Sequence, residues 1–196
     1  MTIAHLPQHP PTLTDGTVTL TAMTESDVDQ LVRNCQDPVA VRWTTVPVHY
    51  TVDSARWYVH EYVADGWRQG TALNWAVHDP QGFLLGTLGL ERLRATVADI
   101  GLNFGPDARG TGAAQAACRL LMEYAFTELG MTHLHWVAFD GNWASVKLSW
   151  KLGFGAPVFI PGFMEQRGEV VDCWVATARP TNSGRPVYPW QLPGSS

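Results

Sequence analysis

Between Asp99 and Gly130 the chain reads DIGLNFGPDARGTGAAQAACRLLMEYAFTELG, and this stretch constrains the fold more than any other. It opens as a strand, turns sharply at Gly105-Pro106, crosses Arg109-Gly110-Thr111-Gly112-Ala113-Ala114 and continues as a helix. Ala113, Ala117, Leu120, Leu121 and Tyr124 follow at helical spacing and form one apolar stripe. The first N–H groups of such a helix have no internal partner, and its dipole favours negative charge. Small residues at 110, 112, 113 and 114 let a bulky diphosphate approach the backbone, although an ordinary strand–helix connection uses the same residues. Two commoner phosphate motifs are absent. No GxxxxGK[ST] run occurs, and Gln115 stands where a dinucleotide fingerprint needs its third glycine.

A length of 196 residues suits one domain, and 45% apolar with 16% charged residues indicates a globular chain. The formal charge of −5 argues against nucleic acid or an anionic membrane as partner. Cys35, Cys118 and Cys173 are odd in number and lack CxxC spacing, so neither a disulfide framework nor a metal site is expected. No apolar run approaches the ~18 residues of a membrane span, and no basic-then-apolar leader is visible. The expected location is the cytoplasm.

Residues 1–14 read as a loose arm and 180–196 as an irregular tail, with one domain over 15–179. Val18 and Leu20 suggest a first strand. Thr24-x-x-Asp27 has capping-box character ahead of Val28, Leu31, Val32 and Cys35, and Asp37-Pro38 ends that helix. Residues 42–47 read as a connection. A second helix opens at Tyr50-Thr51 with Ala55, Tyr58, Val59, Tyr62 and Val63 on one face. Strands are predicted over 73–77, 83–93, 97–104 and 133–139. A short helix ends at Leu152-Gly153, and two strands near 156–160 and 170–178 close the pattern.

Two motifs in order carry a family resemblance. Arg109-Gly110-Thr111-Gly112-Ala113-Ala114 resembles the R/Q-x-x-G-x-G/A acyl-CoA signature of the GNAT N-acetyltransferases. The run from Asn142 through Ser145 to Lys151-Leu152-Gly153-Phe154 resembles that family's N-x-x-S…K-L-G-F element. Ser145, and Gly168…Asp172 followed by a strand, are similar to the RimJ/RimL-like branch of ribosomal-protein N-terminal acetyltransferases. The resemblance implies an α/β fold: a mixed, mostly antiparallel twisted sheet with helices on both faces, splayed between its fourth and fifth strands. It implies transfer of acetyl, or another acyl group, from acetyl-CoA or another acyl-CoA to a primary amine by direct attack in a ternary complex. The acceptor would be a protein N-terminus or a small-molecule amine. A non-catalytic acyl-CoA-binding or scaffolding protein on the same fold is the alternative.

An amine attacking a thioester needs placement, a donor for the oxyanion, a route for the amine proton and help for the leaving thiolate. Carried over from the family, residues 100–104 would lie along the acyl-pantetheine arm, with the N–H of Phe104 facing the thioester carbonyl. Arg109, Gly110, Thr111, Gly112, Ala113 and Ala114 would hold the diphosphate. Asn142 would bind the pantetheine and Ser145 would sit near the sulfur. Each has a plainer role open to it: Phe104 as a core aromatic, Asn142 as a helix N-cap, Ser145 as a solvated hydroxyl. Many relatives place a tyrosine general acid where Ser149 stands, so the leaving-group role passes to Ser145. Glu91, Asp99, His133 and His135 are candidate bases; Glu91 is the first choice, and a water relay is an equal alternative. Trp43, Trp57, Trp67 and Trp75 fall in the part that would build the acceptor side, as core or as groove lining. A final hairpin edge, a Pro-rich tail and nine tryptophans point to a homodimer.

Overall fold

Alternating strand residues build the sheet around which everything else packs. In a computed structural model describing Pro7, residues 9–181 and residues 184–192, eight strands are found. They are β1 (Leu13–Thr14), β2 (Thr19–Thr21), β3 (Leu73–His78), β4 (Leu84–Arg94), β5 (Val97–Phe104), β6 (His133–Phe139), β7 (Val158–Gln166) and β8 (Glu169–Ala178). Their order in the sheet is β1-β2-β3-β4-β5-β6-β8-β7, and every neighbouring pair is antiparallel except β5–β6. That one parallel pair requires a crossover, which the helix Ala113–Thr127 supplies.

The helices are α1 (Val28–Gln36), α2 (Pro38–Trp43), α3 (Val52–Trp57), α4 (Val63–Gln69), α5 (Ala113–Thr127) and α6 (Trp143–Lys151). A π-helical turn, Tyr58–Tyr62, joins α3 to α4. On one face of the sheet, Ala113, Ala117, Leu121 and Ala125 of α5 and Val146 of α6 pack against Leu88, Leu90, Ala98, Ile100, Leu134 and Trp136. On the other, Val28, Leu31 and Cys35 of α1 meet Ala55 and Val59 over Ala76 and Leu84. Helices therefore cover both faces, as expected.

Two sequence expectations need correction. The arm assigned to 1–14 ends in structure: Leu13 and Thr14 pair with β2, and Trp75 Nε1 donates to Pro11 O at 2.9 Å. Residues 1–6 and 8 of that arm lie outside the described residues. The extra strand makes the strands counted fourth and fifth in the sequence β5 and β6 here. Asp37-Pro38 does not simply end a helix; it also starts α2, with Pro38 at its first position and Asp37 accepting from the N–H groups of Val39 (2.9 Å) and Ala40 (3.3 Å). Where it is described, at 181 and 184–192, the tail after 180 is irregular as expected, and Trp150 Nε1 donates to Tyr188 O at 2.7 Å; 182–183 and 193–196 lie outside the described residues.

Candidate functional site

The parallel ladder between β5 and β6 starts at Val97↔His133 and stops at Ile100↔Trp136. Beyond it, residues 101–104 pair only with β4, and residues 137–139 only with β8. The sheet thus opens at the C-terminal ends of these two strands. Successive N–H groups along a strand point to opposite edges. Gly105 N–H donates to Leu85 O at 2.9 Å, towards β4, so the N–H groups of Phe104 and Leu102 are directed into the opening. The Phe104 ring packs on the core, which leaves its backbone as the polar group at this point.

The β5–α5 loop lies at the mouth of the opening. Gly105 is required by a neighbour: a Cβ there would stand 2.0 Å from Asn34 Oδ1 of α1. A 3₁₀ turn, Pro106–Ala108, leads to Arg109, Gly110, Thr111 and Gly112. Gly110 and Gly112 have φ of +75° and +88°, and a Cβ on either would meet nothing within 4 Å. The loop is therefore open to a ligand where the chain comes round into α5. Thr111 Oγ1 donates to Ala108 O at 2.8 Å and accepts from Ala113 N–H at 3.2 Å. Among the described residues the N–H groups of Gly110, Gly112, Ala114 and Gln115 have no protein partner, and Gly112 caps α5 without a side chain. This cluster of free donors on small residues suits the diphosphate of an acyl-CoA. The Arg109 guanidinium is committed elsewhere, to both carboxylate oxygens of Asp37. That pair holds Asp37 below the usual carboxylate range and ties the loop to α2.

At the end of β6, Asn142 caps α6: its Oδ1 accepts from Ser145 N–H at 3.2 Å. The cap role is thus realised, and Asn142 Nδ2 keeps no partner among the described residues. Ser145 Oγ accepts from Trp136 Nε1 at 2.9 Å, and Trp136 lies on the last rung before the opening. Ser149 is buried and donates to Val146 O at 2.8 Å, which makes it a part of the helix interior.

Glu91, Asp99, Gly101 and His135 project from the opposite face, the one covered by α1 and α3. Glu91 stands beside Asp99 in the β4–β5 ladder, and a Cβ on Gly101 would come within 2.8 Å of Glu91 Cγ. Glu91 therefore leans over the first residue past the closed ladder. It lines a cleft of about 500 Å³ with Trp57, Tyr62, Glu61, Asp65 and Arg92. Burial raises the Glu91 pKa; nearby Asn74 and a 3.0 Å hydrogen bond from Tyr62 OH offset this in part. The Asn74 Nδ2 itself is buried without a partner in hydrogen-bond geometry. The Tyr62 phenol is pushed up to about 12 by burial and by Glu91. Asp99 is only 5% exposed and is saturated by Arg92 Nε at 2.7 Å and Arg94 Nη2 at 2.9 Å, with His135 Nδ1 at 3.5 Å. It serves as their counter-ion. Trp67 and Trp75 belong to the core, Trp57 to the cleft, and Trp43 lies 3.4 Å from where a Cβ on Gly141 would be. Sequence reasoning missed Trp136, Tyr62 and Asp37, because each acts through a partner that no local spacing announces.

A profile of the acetyltransferase (GNAT) domain matches residues 17–155. An uncharacterised N-acetyltransferase of Bacillus licheniformis is 24% identical over 167 residues, covering 84% of this chain and 93% of its own. Among solved structures, Mycobacterium smegmatis RimJ in complex with CoA-disulfide superposes with a TM-score of 0.81 at 18% identity, covering 93% of each chain. A microcin self-immunity acetyltransferase in complex with acetyl-CoA and AMP gives 0.75 at 15% identity, over 85% of this chain and 98% of its own.

Proposed function

The chain belongs to the GNAT acetyltransferase family and is an N-acetyltransferase that draws on acyl-CoA, and from that premise we propose that it transfers acetyl to a primary amine by direct attack in a ternary complex. The opening between β5 and β6 carries the reading, because it sets free donors on one side and a shifted carboxyl on the other. The thioester would lie in this opening, its carbonyl oxygen receiving the Phe104 N–H. The amine would approach from the Glu91 face, and Glu91, with its raised pKa, would take the proton that the attacking nitrogen sheds. Ser145 stands on the α5–α6 face and would donate a hydrogen bond to the departing sulfur, which leaves as the thiolate. Proton and thiolate then leave towards opposite faces of the sheet, so neither group has to serve both.

In this reading residues 13–179, from β1 onward, form the catalytic domain, and dependence on acyl-CoA supports a cytoplasmic location. The likeness to RimJ supports the RimJ/RimL-like branch and an N-terminal amine as acceptor; the likeness to the microcin immunity enzyme supports a small amine. Exposed Val158, Phe159, Phe163 and Val170 on β7 and β8 support a homodimer, which light scattering at micromolar concentration tests by finding a dimer or a monomer. The test of function is thiol release from acetyl-CoA over a panel of small amines and N-terminal peptides. Release that depends on the acceptor is expected. CoA bound tightly with no acceptor-dependent release across the panel would reduce the protein to an acyl-CoA binder.

A further inference from the structure

We infer that Trp136 is a positioning residue: its indole N–H fixes the Ser145 hydroxyl as a hydrogen-bond donor to the coenzyme sulfur. The inference rests on the role given to Ser145 above. An indole N–H can only donate, so in the 2.9 Å contact with Ser145 Oγ the serine is the acceptor. That assignment needs no choice of rotor or tautomer. The hydroxyl proton cannot point at the indole, and among the described residues no protein group accepts it. Trp136 is 2% exposed, so leaving its N–H unpaired would strand a buried donor. Its ring is held edge-on to Phe154, centroids 5.5 Å apart at 72°, which stops it from following the serine elsewhere. Ser145 is held from its other side, its N–H bound by the Asn142 cap.

Position gives this contact its meaning. Trp136 pairs with Ile100 on the last rung before β5 and β6 part, so the serine is anchored at the apex of the opening. A hydroxyl that accepts one hydrogen bond also becomes a better donor of the next. The pair therefore presents one directed proton where a thiolate would form, in place of the tyrosine that Ser149 does not supply.

The test titrates the thiol of CoA bound to the full-length protein, read by its thiolate ultraviolet absorbance. Burial pushes the protein's own Cys35 and Cys173 thiols up to about 11 and Cys118 higher still, and the titration of each CoA-free protein is subtracted to isolate the coenzyme thiol. Trp136 is replaced by 3-benzothienylalanine, which keeps the bicyclic shape and lacks the N–H, and separately by Phe. Each change is made with Ser145 and with Ser145→Ala, and melting temperature is recorded throughout. A donor to the thiolate lowers the thiol pKa, so Ser145→Ala should make bound CoA a weaker acid. With Ser145 present, loss of the indole N–H should weaken that acid roughly three- to tenfold; with Ser145→Ala it should change nothing. A purely structural tryptophan would lower the melting temperature in both backgrounds and leave the thiol unmoved, which overturns the inference alone. An unchanged thiol in Ser145→Ala would overturn the role of Ser145 and the inference with it.

Discussion

Gly110 and Gly112 combine a left-handed φ with an empty shell where a side chain would stand; Gly16, Gly82, Gly130 and Gly168 share both properties, but none of them lies in the β5–α5 loop. The second property is the one a diphosphate needs. Gly112→Glu should cost about 1 kcal/mol of stability through its backbone, and should weaken CoA binding by at least about tenfold through bulk and negative charge. Gly16 is a matched control, with φ of +85° and nothing within 4 Å of its Cβ position, but it sits before β2. Gly16→Glu should carry the same backbone cost and bind CoA normally in calorimetry. If both variants bind alike, the loop is not the phosphate site. Arg109→Ala should affect stability more than affinity, because its guanidinium is spent on Asp37.

The same economy governs α6, where one turn carries a cap and a proposed donor. Asn142→Ala removes the Oδ1 that accepts Ser145 N–H and should cost about 1 kcal/mol, whereas Asn142→Asp keeps the cap and should melt near the wild type. Thermal melts of the two variants decide it; equal losses would mean that the side chain acts through something other than the cap. Such local devices were legible in the sequence, because a cap such as Asn142, or Pro106 at the start of its turn, acts within a few residues of where it is written. The strand Val97–Phe104 and the strand His133–Phe139 were read to the residue for the same reason. Elsewhere one signal had two readings. Asp37-Pro38 stops α1 and starts α2 with the same atoms. β1 has two residues, too few for a pattern, and Pro161-Gly162 hides the continuation of β7 past its register shift. Contacts such as Arg109–Asp37, 72 residues apart, and Tyr62–Glu91, 29 apart, exist only once the sheet brings their elements together.

At the scale of the whole molecule, two carboxyls on the α1–α3 side are shifted in opposite directions, and pH separates them. For Asp27, burial alone would raise the pKa, but His78 Nε2 at 2.7 Å and Thr24 N–H at 2.8 Å outweigh it, and the pKa is lowered. A carboxyl depressed in the folded state stabilises above its unfolded pKa, and the gain is lost as the pH falls through the folded value. Asp27 joins β3 to the turn before α1, so this gain helps to hold the helical layer on the sheet. Glu91 has the reverse sign. Its folded pKa is raised, so its contribution is fully present below the unfolded value and is lost as the pH rises through the folded one. Asp27→Asn should therefore lower the melting temperature at about pH 7, on the order of 1 kcal/mol or 2–4 °C, with the gap closing below about pH 4. Glu91→Gln should raise the melting temperature at about pH 7 and match the wild type below about pH 4, where both side chains are neutral. If Glu91 is the base, the same variant should lose the limb of the kcat/KM profile that rises as a carboxyl ionises, so that a gain in stability accompanies a loss of activity. A Glu91→Gln protein that is more stable and fully active would leave the proton to water and would assign the burial of Glu91 to the shape of the cleft.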